Sequence, residues 1–230
     1  MVSVRKTFRP DLPKRQIINA DKLNINRNTQ KKDIKPMKTR HIFLLLILGT
    51  FLTSCLGYGC ALFTNNVTFV GDSVTVGIDS PVSYVDLISR MDSSIDCKEV
   101  AKAGGQVADA IKNFHKIIAS NPYCVVIMYG LNDMKGSRTV FRNNLSTLVT
   151  NCLGMGYEVV IVTPSPHMEL QSKLDKYADI AREVAHTFHC ELADVNAVMR
   201  GDDWSVMSTV NHPNEKGHQI IADIVEREIP

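Results

Sequence analysis

Val125-Val126-Ile127-Met128-Tyr129 is apolar without a break and stops at Gly130. A strand with one wet face would alternate apolar and polar residues. A continuous run rich in Val and Ile describes a strand covered on both faces, as in a parallel sheet flanked by helices. The same grammar repeats outward from it. Toward the C-terminus, residues 139–153 space Val140, Phe141, Leu145, Leu148, Val149 and Leu153 as one helical face, and Gly154 and Gly156 punctuate the chain. Glu158-Val159-Val160-Ile161-Val162 is a second buried strand, stopped by Pro164 and Pro166. Residues 170–188 read as helix, Glu191-Leu192-Ala193-Asp194-Val195 as a strand, and 215–228 as a closing helix carrying Ile220, Ile221, Ile224 and Val225. Toward the N-terminus, 106–119 place Val107, Ile111, Phe114, Ile117 and Ile118 on one helical face. Glu99-Val100-Ala101 is a weaker strand, a helix is expected around 82–91, and Val67-Thr68-Phe69-Val70 is a short strand ending at Gly71.

Alternating β and α elements imply parallel strands joined by right-handed crossovers. The expected fold is therefore an α/β, three-layer α/β/α sandwich with a mostly parallel sheet of about five strands, flavodoxin-like in outline. Ligands of such sheets sit beyond the carboxyl ends of the strands. Those ends read Gly71-Asp72-Ser73-Val74, Gly104-Gly105 and Gly130-Leu131-Asn132-Asp133, with Asn211-His212-Pro213-Asn214 ahead of the last helix. Brought to one rim, they supply a hydroxyl nucleophile, an imidazole base, an amide and glycine N–H groups for an oxyanion. Taken singly, each has an ordinary explanation: a serine capping a helix, a loop histidine bonded to backbone, an Asx-turn. Together, in order and each at a strand end or loop, they point to catalysis.

These blocks resemble the SGNH hydrolases, or GDSL-type esterases, over about residues 66–228. The resemblance implies that Ser73 attacks an ester carbonyl and that His212 takes its proton. It also implies that the backbone N–H groups of Ser73 and Gly104 and the Asn132 amide hold the oxyanion, each such donor being worth about 3 kcal/mol. Gly104 stands five residues before Asp109, a spacing found in many members, and Gly105 is its close rival. Asp72 is expected to shape the nucleophile turn, Asp133 to brace its loop and His218 to pack or cap. One departure stands out. The family usually carries an Asp three residues before the histidine to orient the ring, and here that residue is Thr209, between Ser208 and Val210. Asp202 or Asp203 could return through a loop to substitute; otherwise a Thr hydroxyl, a backbone carbonyl or water must do it.

Charge divides the chain. Residues 1–36 carry +7, residues 37–54 add +2, and residues 55–230 carry −7. The first segment has no periodic apolar pattern and is expected to be disordered, or to lie upstream of a true start at Met37. Lys38 and Arg40 then precede Ile42–Leu52, the charged and apolar regions of a signal peptide. Leu52-Thr53-Ser54-Cys55 resembles the lipobox of bacterial lipoproteins, which implies cleavage before Cys55 and lipidation of its thiol. An uncleaved signal anchor is the alternative. Either way residues 55–65 form a tether, and residues 66–230 form a hydrolase domain outside the cytoplasm.

The acidic body argues against nucleic-acid binding, and a single apolar run excludes a polytopic membrane protein. Cys60, Cys97, Cys124, Cys152 and Cys190 show no metal-ligand spacing, nor do His41, His115, His167, His186 and His189. No cofactor or metal is expected. Gly-Asp-Ser-Val is not a P-loop and no GxGxxG is present, which disfavours a nucleotide binder. The expected activity is hydrolysis of a small-molecule, glycan or lipid ester by a membrane-tethered enzyme. A non-catalytic envelope lipoprotein with a decayed site is the alternative, motivated by Thr209.

Overall fold

The first strand, β1 (Asn66–Gly71), is buried from Val67 onward, because apolar residues alternate with a threonine whose hydroxyl finds a partner. Thr68 Oγ1 lies 2.7 Å from Ser120 Oγ. The structure, a computed structural model, describes residues 65–201 and 204–230. These residues lie in one compact unit. The expectations for residues 1–64, including Cys55 and Cys60, lie outside the described residues, as do Asp202 and Asp203.

After β1 the chain forms α1 (Ser73–Val76), α2 (Tyr84–Met91), β2 (Asp96–Ala101), α3 (Val107–Lys112) and α4 (Phe114–Ala119). Then come β3 (Cys124–Met128), α5 (Arg138–Gly154), β4 (Glu158–Val162), α6 (Gln171–Phe188), β5 (Glu191–Ala193), α7 (Val195–Met199) and α8 (Glu215–Glu226). The five strands make one sheet in the order β2-β1-β3-β4-β5, and every pairing is parallel. The α/β sandwich read from the sequence is thus the observed fold, with the strand order of flavodoxin-like sheets. β3 is buried at every position, as its unbroken apolar run requires. β2 is an edge strand and stays half wet, which is why its sequence signal is weak.

Two elements differ from expectation. The helix anticipated over 106–119 is two short helices, broken at Asn113, which closes one and opens the next. Its Nδ2 donates to Asp109 O at 2.8 Å, drawing a local bond that competes with helix continuation. The second is α1, a single turn inserted directly after β1, too short for periodicity to report. Leaving β1 the chain turns to β2, whereas leaving β3 it turns to β4, so the connections diverge between these adjacent strands. That divergence opens the crevice in which such sheets place ligands. Ser73 and Asn132 stand just past those two strand ends.

Candidate active site

Asp72 caps α1: its Oδ1 accepts from Val74 N–H at 3.0 Å, fixing the turn that presents Ser73. Its Oδ2 accepts from Asn132 Nδ2 at 3.3 Å, so one buried carboxyl links the ends of β1 and β3. Burial pushes the Asp72 carboxyl up to about 7 against the pull of the Val74 N–H, and nearby Asp133 adds to the rise. Asp133 holds the next loop, its Oδ1 accepting from Val107 N–H at 3.2 Å, and burial pushes its carboxyl up to about 6. Gln106 Nε2 donates to Asn132 O at 3.0 Å, which ties α3 to the same loop.

The second strand end is a tight turn. Gly105 N–H donates to Lys102 O at 2.8 Å, and Gly104 sits at φ 72° at the third position, where a left-handed residue is required. The N–H of Gly105 is therefore spent inside the turn. That of Gly104 makes no hydrogen bond among the described residues. Of the two glycines, Gly104 keeps a free donor. Ser73 N–H, at the first position of α1, is likewise unengaged.

His212 arrives from the other end of the chain. The backbone N–H groups of Ser208 and Thr209 donate to His212 O at 2.9 and 3.3 Å, closing a tight loop. Asn214 caps α8 through Gly217 N–H at 3.1 Å, and its Nδ2 grips Ser205 O at 2.8 Å. So held, His212 Nε2 stands 2.9 Å from Ser73 Oγ, within reach of a general base. Its other nitrogen, Nδ1, stands 2.6 Å from Asp79 Oδ2.

Ser73 with His212 and Asp72 with Asn132 are thus two hydrogen-bonded pairs on adjacent residues of one turn, and the Gly104 turn is held to the end of β1 by Lys102 N–H donating to Gly71 O at 3.1 Å. Thr209 does not touch the imidazole; its Oγ1 accepts from the backbone N–H of His212 at 3.2 Å. Sequence reading missed Asp79. It lies 133 residues from His212, in the loop after α1, and belongs to no recognisable spacing. His218 is fully buried, stacks on Tyr84 and accepts from Tyr84 N–H through Nδ1 at 3.1 Å, a capping role for α2. His167 caps a turn, its Nδ1 accepting from the N–H groups of Glu169 and Leu170. Among the described residues no group of His, Cys, Asp and Glu is placed to hold a metal ion.

Known proteins match this fold. The GDSL-like lipase/acylhydrolase family model matches residues 69–220. A lipase/acylhydrolase from Enterococcus faecalis superposes with a TM-score of 0.64 at 23% identity, over 72% of this chain and 95% of that one. The acetylxylan esterase Axe2 from Geobacillus stearothermophilus gives 0.62 at 20%, over 72% and 94%. A member of the lipolytic G-D-S-L family from Veillonella parvula gives 0.61 at 18%, over 70% and 96%. No curated protein matches the chain. The chain belongs to the GDSL-like lipase/acylhydrolase family and is a hydrolase acting on ester bonds.

Proposed function

We propose that the protein is a serine esterase in which Ser73 is the nucleophile, His212 the general base, and the N–H groups of Ser73 and Gly104 with the Asn132 amide hold the oxyanion. The observation that carries this reading is the 2.9 Å contact between Ser73 Oγ and His212 Nε2 at the sheet's crevice. Ser73 Oγ bonds to the ester carbon as its proton passes to Nε2, and the carbonyl π electrons move onto the oxygen facing the donors. Collapse of that intermediate breaks the ester C–O bond, and the departing alkoxide takes the Nε2 proton. Water then gives a proton to Nε2, attacks the acyl carbon and releases the acid, and the proton returns to Ser73 Oγ.

Substrates are esters of a polar head group, of which O-acetylated glycans are the favoured class. A cleft of about 270 Å³ lies beside the Gly104 turn, where Val100, Ala101 and Ala110 line it together with Glu99, Lys102 and Asp109. Axe2, whose name places it on acetylxylan, supports that choice by analogy. The enzyme is tethered outside the cytoplasm through Cys55, a reading supported by the apolar run and Leu52-Thr53-Ser54-Cys55.

A fluorophosphonate probe is expected to label the wild-type protein and not Ser73→Ala. A chromogenic ester panel from acetyl to long acyl is expected to favour the short end. Absence of labelling in a folded protein would leave the non-catalytic binder as the better reading. Mass spectrometry of the membrane fraction tests the tether, which an unmodified Cys55 in an uncut chain would refute.

A further inference from the structure

We infer that Asp79 is the positioning residue for the His212 imidazole, supplying from the nucleophile's own loop the carboxylate that the family resemblance would put at Thr209. The inference rests on the serine-esterase reading of the site. It is argued from the 2.6 Å contact between Asp79 Oδ2 and His212 Nδ1, and from the way the backbone delivers it.

The chain leaves α1 through Gly77, at φ 80°, and Ile78 N–H donates back to Ser73 O at 3.0 Å. Asp79 follows at φ 64°, a left-handed conformation in which Asp is among the tolerated residues. Its side chain is thereby directed to the imidazole and not outward along the loop. Ser208 Oγ donates to Asp79 O at 2.7 Å, so the histidine loop is bolted to the acid's backbone as well as to its side chain. The residue that would otherwise orient the ring is engaged elsewhere, since Thr209 Oγ1 accepts from His212 N–H.

The chemistry follows from these contacts. A carboxylate accepting from Nδ1–H fixes the tautomer in which Nε2 carries a lone pair toward Ser73. When Nε2 takes the Ser73 proton, the positive charge forms against Asp79. No proton moves to Asp79. In the arrangement the family resemblance implies, acid and base share one loop. Here acid and nucleophile share the segment 73–79, and the base docks onto both at once. Displacing the His212 loop would therefore break the Ser73 and Asp79 contacts together.

The test uses the full chain, a short-acyl chromogenic ester and proton NMR. Asp79→Asn is expected to lower kcat by about a hundredfold or more while leaving KM within about twofold and the melting temperature unchanged. The low-field imidazole N–H signal of the wild type is expected to vanish. Asp79→Gly suits the left-handed backbone and removes only the carboxylate, so it is expected to show the same loss of kcat without a lower melting temperature. Adding Thr209→Asp to Asp79→Asn, which returns a carboxylate to the histidine's own loop, is expected to recover at least about tenfold of the lost kcat. An Asp79→Asn enzyme within about threefold of wild-type kcat, or one that keeps the low-field signal, would overturn the inference. Turnover that survives Ser73→Ala would instead sink the nucleophile assignment, and the NMR signal would still report whether Asp79 holds His212.

Discussion

Gly71 ends β1 so close to α1 that a Cβ there would stand 2.0 Å from Thr75 Oγ1 and 3.0 Å from Met128 O. Thr75 cannot easily yield, because it is fully buried and its Oγ1 lies 3.1 Å from Tyr84 OH. The glycine of the Gly-Asp-Ser block is therefore a packing requirement, and it lets the turn carrying Ser73 fold tightly onto the sheet. Gly71→Ala is expected to cost about 1–3 kcal/mol in urea unfolding. It is also expected to lower kcat, since the strain is relieved by moving the turn that carries Asp72 and Ser73. A variant with wild-type stability would mean that the backbone absorbs the methyl group without shifting the turn.

Among the elements, the far side of the sheet is fastened by an ionic fork. Arg182 on α6 donates to both oxygens of Asp194 at 2.8 Å, and its Nη1 donates to Asp179 at 2.7 Å. Thr163, just past β4, donates to the same Asp194 and accepts from Asn196 N–H. This network locks α6 to the start of α7 and satisfies polar groups at the ends of β4 and β5. Burial alone would raise the Asp194 carboxyl, but the Arg182 fork and the Thr163 hydroxyl outweigh it and hold it below the usual range. Arg182 is partly exposed, which screens part of the charge term. Arg182→Ala is expected to destabilise the protein by about 1–3 kcal/mol, because it strips a bidentate partner from Asp194. Because the Asp194 carboxyl is depressed in the fold, the deficit is expected to be full at neutral pH and to shrink as pH falls through the acid range. Denaturant titrations of both proteins at neutral and acid pH check this. A deficit independent of pH would mean that packing of the Arg182 stem, not its charge, is what matters.

For the whole molecule, buried ionisable groups pull its pH dependence in opposite directions. Burial raises Asp72 to about 7 from an ordinary 3.8, so its contribution is full below about 4 and fades as pH rises through 7. Burial lowers His218 to about 4 from an ordinary 6.5, so its contribution is full above 6.5 and fades as pH falls through 4. Each is worth up to about 3–4 kcal/mol, and their windows overlap. The stability gap between wild type and Asp72→Asn is expected to narrow as pH rises from about 4 to 7. The gap to His218→Gln is expected to narrow as pH falls from about 6.5 to 4. Urea unfolding across that range reads both, and gaps that stay constant would mean that the two groups ionise normally.

What could be read from the chain without its fold was what depends on short-range pattern. The runs 125–129 and 158–162, the helices over 139–153 and 170–188 and the sheet class follow from apolar periodicity, and the structure places strands at Cys124–Met128 and Glu158–Val162 and helices at Arg138–Gly154 and Gln171–Phe188. Three blocks, two at strand ends and one ahead of the last helix, named the family, because backbone turns and a nucleophile need particular residues at fixed local spacing. The break at Asn113 and the single turn α1 escaped, since a one-residue competition and a four-residue helix leave no periodic trace. Asp79 escaped for a deeper reason. A side chain that meets its partner across 133 residues is placed by how two loops dock, and a local pattern carries no record of that. The sequence by itself determined a parallel sheet with Ser73 and Asn132 just past strand ends and His212 ahead of the last helix, because periodicity and turn chemistry are local. Only the tertiary structure decided that Gly104 and not Gly105 keeps a free N–H, and that Asp79 faces His212, because both depend on where folded backbone directs a group in space.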